Sequence, residues 1–146
     1  MTTRWILIAN AERARLFAAR GRTSPWQPVR ELAHPDSAAK VSQLVSDRAG
    51  RVRQRVGARR SAADARTPPK AVEAERFARE LTSLLHEGLG RHDYDRLVLV
   101  APPHFLGLLR ECASVPVREA ITASVGRNWT SVAAADLPAR LAAVLA

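Results

Sequence analysis

The sequence predicts an α/β fold: a single layered domain with a mixed β-sheet, spanning 1–146 and carrying an arginine-rich insert. Three observations predict it. A chain of 146 residues with 47% apolar side chains suffices for one ordinary core and is short for two. Short apolar runs of strand type alternate with segments of helical periodicity, the pattern of a layered α/β domain. Between the third strand and the first long helix, from His34 to Lys70, lies a basic stretch of a different character.

The elements follow in order. Arg4 to Ala9 and Ala14 to Ala19 are apolar runs broken at Asn10 to Arg13, and they read as two strands of a hairpin. Gly21 to Pro25 is a second break, rich in turn formers. Trp26 to Ala33 is a third strand, and Pro28, lacking an amide donor, suits an edge or a bulge. Pro68 and Pro69 mark the entry to a helix running to about Glu87, with Phe77, Leu81, Leu84 and Leu85 on one face. Glu73 and Glu75 are expected in its first turn, Glu75 pairs with Arg79 at i, i+4, and Gly88 and Gly90 offer a stop. Arg96 to Ala101 is apolar without alternation, as expected of a strand covered on both faces. Phe105 to Ala113 reads as a helix with Pro103 in its opening turn, and Val115 to Val125 as one more strand. Leu137 to Leu145 is a last helix with Asp136 as N-cap.

Composition narrows the function classes. The single cysteine, Cys112, excludes an intramolecular disulfide and reads as a small buried hydrophobe. Trp5 to Ile8 is far shorter than the apolar core of a signal peptide, and Glu12, Arg13 and Arg15 follow at once. No stretch has the length of a membrane span, so the expected location is cytoplasmic. Residues 1–90 hold 17 basic and 9 acidic side chains, net +8, whereas residues 91–146 hold 6 and 5, net +1. Within the first part, Arg48, Arg51, Arg53, Arg55, Arg59 and Arg60 fall in a run with no acid between Asp47 and Asp64. Like charges this close repel and resist burial, so the tract is expected to be a mobile, solvated loop.

Such arginines neutralise phosphates, release counterions and stack on bases, which suits RNA or a ribosomal surface. Lys70, Arg76 and Arg79, on the helix that follows, extend that candidate nucleic-acid surface. The opposing reading is a solvated charge run in a chain whose 21 arginines and 2 lysines point to a general arginine bias. Aromatic residues, which would sharpen an RNA reading, are absent from 40–70, and anionic membrane or polysaccharide are lesser alternatives. A second candidate is a ligand pocket beyond Ala101-Pro102-Pro103-His104, where His104 and Arg110 could meet an anion. The four histidines, His34, His86, His92 and His104, show no paired metal-ligand spacing, so no metal is expected. Asp93 and Asp95 are most simply turn residues before a strand, and neither a nucleotide-binding glycine fingerprint nor a nucleophile elbow occurs. No cofactor and no catalytic residue is therefore expected.

Several blocks carry a family resemblance: Trp5 to Ala11, His34-Pro35, Ser46 to Arg51, Glu75 to Leu81, and Leu97 to Gly107, the last being the most specific. In this order, over essentially the whole chain, they resemble the bacterial host attachment protein family. That family is named for a requirement in attachment to host cells and looks like a relative of the middle domain of archaeal and eukaryotic peptide-chain release factors. The resemblance implies the same α/β layered fold. It also places Lys70-Ala71-Val72 where those factors carry their catalytic Gly-Gly-Gln, and Gln54 stands alone in the arginine tract, so peptidyl-tRNA hydrolysis is not expected. Arg127-Asn128-Trp129-Thr130 stands where relatives tend to show Lys-Asp-Leu-Thr, which puts in doubt any role of that carboxylate.

The leading expectation is a non-catalytic factor that binds RNA or the ribosome. Alternatives are a host-attachment or interaction factor acting at the cell envelope, and a hydrolase or nuclease using the Pro-Pro-His corner.

Overall fold

The computed structural model describes residues 2–21, 24–34 and 69–145. Strands β1 (Thr3–Ala9), β2 (Arg13–Arg20), β3 (Gln27–Ala33), β4 (Arg96–Val100) and β5 (Ile121–Val125) form one mixed sheet in the order β3-β2-β1-β4-β5. The expected hairpin is present: β1 and β2 pair antiparallel from Thr3 opposite Arg20 to Ala9 opposite Ala14. β3 adds antiparallel to β2, and Pro28 stands at a register shift between Leu16 and Phe17 on an edge strand, where its missing donor costs no ladder bond. On the other flank β4 and β5 run parallel to β1.

Both faces of β1 and β4 are covered, as their unbroken apolar sequence requires. Helices α1 (Pro69–Gly90), α2 (Pro103–Cys112) and α3 (Val115–Ala120) accompany one face. There Phe77, Leu81 and Leu85 of α1 and Phe105 and Leu109 of α2 join Leu7, Leu97 and Leu99 in one core. The opposite core joins Ile6, Ile8, Val98 and Val100 to Trp129 and to Leu137 and Leu141 of α4 (Leu137–Leu145). Each fully buried leucine, isoleucine or phenylalanine here contributes roughly 1.5–3 kcal/mol by leaving water.

Four sequence expectations are corrected. Val115 to Val125 is not one strand: Val115–Ala120 is a short helix, with Ser114 at its N-cap position and Pro116 in its first turn, and β5 begins only at Ile121. Proline is tolerated in that opening turn because the amide it lacks would have no helical partner. α1 starts at Pro69, so Glu73 and Glu75 lie beyond its first turn. It also continues through Gly88 to Gly90, and the chain leaves it through His92, whose φ of 64° is left-handed, while the Asp93 amide donates to the Gly88 carbonyl at 2.8 Å. Asp136 does not stand apart as a cap; it ends a 3-10 turn (Ala134–Asp136) that runs directly into α4. α2 opens with Pro103 in its first turn, as expected, and ends at Cys112.

Candidate functional site

The carboxyl ends of β1, β4 and β5 lie at one end of the sheet, together with the start of β2 and the end of β3. Open α/β sheets bind ligands at this end, because the strand-to-helix loops gather there. The β1–β2 turn is held by Asn10, whose Oδ1 accepts the amide hydrogens of Glu12 and Arg13, both at 2.9 Å. With Oδ1 so occupied, Nδ2 faces the segment after β5 and donates to Thr130 Oγ1 at 3.1 Å. The Thr130 hydroxyl donates in turn to Asn128 Oδ1 at 2.7 Å, which also accepts the Thr130 amide at 3.2 Å. Asn128, where the family resemblance would place an aspartate, therefore serves as an acceptor, a task that an amide oxygen performs as well as a carboxylate.

Two arginines extend this network along one face of β2. Arg13 donates from Nη2 to Ser131 Oγ at 3.1 Å. Arg15 is half-buried; its Nη1 donates to the Val132 carbonyl at 2.6 Å, lies 3.4 Å from the Thr130 carbonyl, and its guanidinium sits 5.4 Å from the centre of the Phe17 ring. Opposite Arg15 in the ladder stands Glu31 of β3. Arg13, Arg15, Glu31 and Thr130 to Val132 line an open depression of about 630 Å³.

Close to the same end, His34 and Glu73 join β3 to α1. His34 is 9% exposed and Glu73 8%; His34 Nε2 lies 3.1 Å from Glu73 Oε1, and the imidazole stacks on Phe77 with centroids 5.1 Å apart. The His34 amide donates to the Glu12 carbonyl at 2.8 Å, tying this pair to the β1–β2 turn. His34, read as the first residue of the insert, is thus a packed part of the core.

The predicted nucleic-acid residues separate into two groups. Arg48, Arg51, Arg53, Arg55, Arg59 and Arg60 lie outside the described residues, as does the expected mobile loop. Lys70, Arg76 and Arg79 are exposed on α1. Arg76 Nη1 lies 3.6 Å from Glu73 Oε2, and Arg79 pairs with Glu75 as the i, i+4 spacing predicts, so both arginines share their charge with a neighbouring carboxylate. His104 and Arg110 are exposed on α2, and Arg110 donates to Ser124 Oγ at 2.9 Å. Neither of them lines the depression above or a second one of about 260 Å³ that holds Arg79, His86, Cys112 and Ser114. Cys112 is partly exposed there rather than fully buried. Asp93 and Asp95 behave as turn residues: Asp93 pairs with Arg91 at 3.1 Å and Asp95 Oδ2 accepts the Thr3 amide at 2.9 Å. Among the described residues no group of three or more histidine, cysteine or carboxylate side chains is placed to hold a metal ion, and no helix is long and apolar enough to cross a membrane.

Asn10, Arg13, Arg15, Thr130 and Ser131 were not singled out as site residues from the sequence. Arg13, Arg15 and Phe17 alternate on a strand and so share a face, which is a legible signal for the two arginines. Thr130 stood out only as the threonine of the Arg127–Thr130 block and Ser131 not at all, since the path of the segment after β5 back to β1 is set by burial of Trp129.

These features define a class: a mixed-sheet α/β protein with a basic, hydrogen-bonded cluster at the carboxyl end of its parallel strands. The chain belongs to the family described as "Protein required for attachment to host cells", whose model matches residues 5–141. No curated protein sequence matches it. Similar solved structures include an archaeal translation termination factor, aRF1, at 9% identity and a TM-score of 0.43, covering 98% of this chain and 39% of that one. An archaeal protein matches at 10% identity and 0.43, with 98% and 38% covered. The Aquifex aeolicus Ppx/GppA phosphatase matches at 13% and 0.39, with 86% and 36% covered. The chain therefore spans about two-fifths of these proteins or less.

Proposed function

We propose that this protein is a non-catalytic factor that binds RNA, with a ribosomal surface as its natural context, through the arginine tract of residues 48–60. The observation that carries the reading is the join between His34 and Glu73, 3.1 Å apart, which ties together the described segments on either side of residues 35–68, next to the β1–β2 turn. Arginines close together in sequence neutralise neighbouring phosphates together, and the release of their counterions makes binding steeply salt-dependent. Arg76 and Arg79 contribute less than the tract, because carboxylates already share their charge. The test is co-sedimentation with RNA or ribosomes at several salt concentrations. Contact of six arginines with single-strand phosphates gives a log–log slope of roughly −4. Replacing Arg48, Arg51, Arg53, Arg55, Arg59 and Arg60 by serine should abolish that slope; unchanged binding by this variant would overturn the reading.

The family description supports a second reading, an interaction factor required for attachment and acting at the envelope. Fractionation of cells with detection of the native protein separates the two, since the envelope reading requires protein at the cell surface. The Pro-Pro-His corner supports no comparable reading, because His104 is exposed and lines neither depression.

A further inference from the structure

We infer that the depression between the start of β2, the end of β3 and residues 130–132 is a binding site for a phosphate monoester of mononucleotide size. Arg13 and Arg15 would hold the phosphate, and Glu31 would accept a hydrogen bond from a sugar hydroxyl or an exocyclic amine.

The first argument is preorganisation. Arg15 is fixed by the Val132 carbonyl at 2.6 Å and by the Phe17 ring below it, and Arg13 by the Ser131 hydroxyl at 3.1 Å. A guanidinium already held in place loses little freedom when an oxyanion arrives, and its planar fork matches two phosphate oxygens. The wall formed by Thr130 to Val132 is itself held through Thr130, Asn128 and Asn10, so the arginines face a rigid support rather than a loose loop.

The second argument is chemical asymmetry. Two cations stand on the β2 side, whereas the residue opposite Arg15 on β3 is a carboxylate. A bare anion would be repelled by Glu31, but a ligand with phosphate at one end and a hydrogen-bond donor at the other satisfies both walls. The third is size and position: about 630 Å³ lies within the range of small-ligand pockets, and the depression sits beside the antiparallel β2–β3 pair at the end of the sheet where the parallel strands also finish. Arg13 and Arg15 belong to the folded sheet, so the site is independent of the arginine tract and of the RNA reading built on it.

The experiment follows the backbone amides of Ala14, Ser131 and Val132 by NMR while the full chain is titrated with inorganic phosphate, adenosine, AMP, and an oligoribonucleotide with or without a 5′-phosphate. AMP should shift these amides at millimolar concentration or below and adenosine should not. Arg13→Ala should weaken AMP binding by about tenfold or more, a loss typical of one charge-assisted contact. Glu31→Gln should strengthen binding of inorganic phosphate by removing the repulsion, and should improve AMP binding less, because it also weakens the acceptor for the sugar hydroxyl or amine; a change equal for both ligands would overturn the role of Glu31. A tighter response to the 5′-phosphorylated oligoribonucleotide than to AMP assigns the phosphate to an RNA end, and an equal or weaker one assigns it to a free nucleotide. The variant with six tract arginines replaced by serine should keep the AMP response, whatever becomes of its RNA binding. Absence of localised shifts with AMP, or shifts indifferent to Arg13→Ala, would overturn the site.

Discussion

Tyr94, the only tyrosine in the chain, is 1% exposed, and its hydroxyl donates to the Leu85 carbonyl at 2.7 Å. Burial disfavours the phenolate and pushes the phenol from 10.0 up to about 12. A folded-state value above the unfolded one stabilises the protein fully below pH 10, and that contribution is lost as pH rises from about 10 to about 12. Absorbance at the phenolate band should therefore report Tyr94 ionising near 12 in the folded protein and about two units lower in denaturant; coincident titrations would refute this. Trp5 stacks on the same ring with centroids 4.5 Å apart, and this packing explains Gly88. A Cβ on Gly88 would lie 2.6 Å from the Trp5 ring, whereas one on Gly90 would meet nothing within 4 Å. Gly88→Ala should destabilise by about 1–3 kcal/mol through overpacking, and Gly90→Ala should stabilise by about 0.5–1 kcal/mol through helix propensity. Urea midpoints of the two variants, moving in opposite directions, check both. The sequence presents the two glycines alike, as stop signals; only the packed tryptophan distinguishes them.

At the scale of elements, the join of β3 to α1 rests on His34. Replacing it by alanine leaves Glu73, 8% exposed, without its imidazole partner and removes the stacking on Phe77. A loss of about 3 kcal/mol is expected for His34→Ala, against roughly 1 kcal/mol for Glu73→Gln, whose amide oxygen still accepts. Equal losses in urea denaturation would show that packing alone, and not the hydrogen bond, carries the join. The hairpin, the edge position of β3 and the helical face of α1 were legible because each is written in local periodicity. The α3–β5 boundary was not: Val115 to Val125 is apolar enough for either state, and the packing of α3, with Val117 in the core, against α1 decides for helix. Similarly, His34 looked like a loop residue beside Pro35, and its burial depends on Phe77, which stands 43 positions later in the sequence.

At the scale of the molecule, charge and fold are distributed differently. Most of the net charge of +9 resides in residues 1–90, and on α1 Arg76 and Arg79 are balanced by Glu73 and Glu75. Salt should consequently act on binding far more than on folding. Raising it from low to moderate concentration is expected to remove RNA association with the roughly −4 slope of six phosphate contacts while leaving the urea midpoint nearly unchanged. A parallel fall of stability and binding would mean that the tract's charge is coupled to the fold.

The sequence by itself determined the α/β class, the hairpin and the doubly covered parallel strand, because strand and helix periodicities are local properties. It also carried the family, through short blocks spread along the chain. Only the tertiary structure decided that Asn10, Arg13, Arg15 and Thr130 to Val132 form one cluster, and that His104 and Arg110 stand apart from it. Those residues are more than a hundred positions apart in sequence. They meet because strand order places β1 and β2 beside the returning segment after β5, and because Trp129 must be buried beneath the sheet.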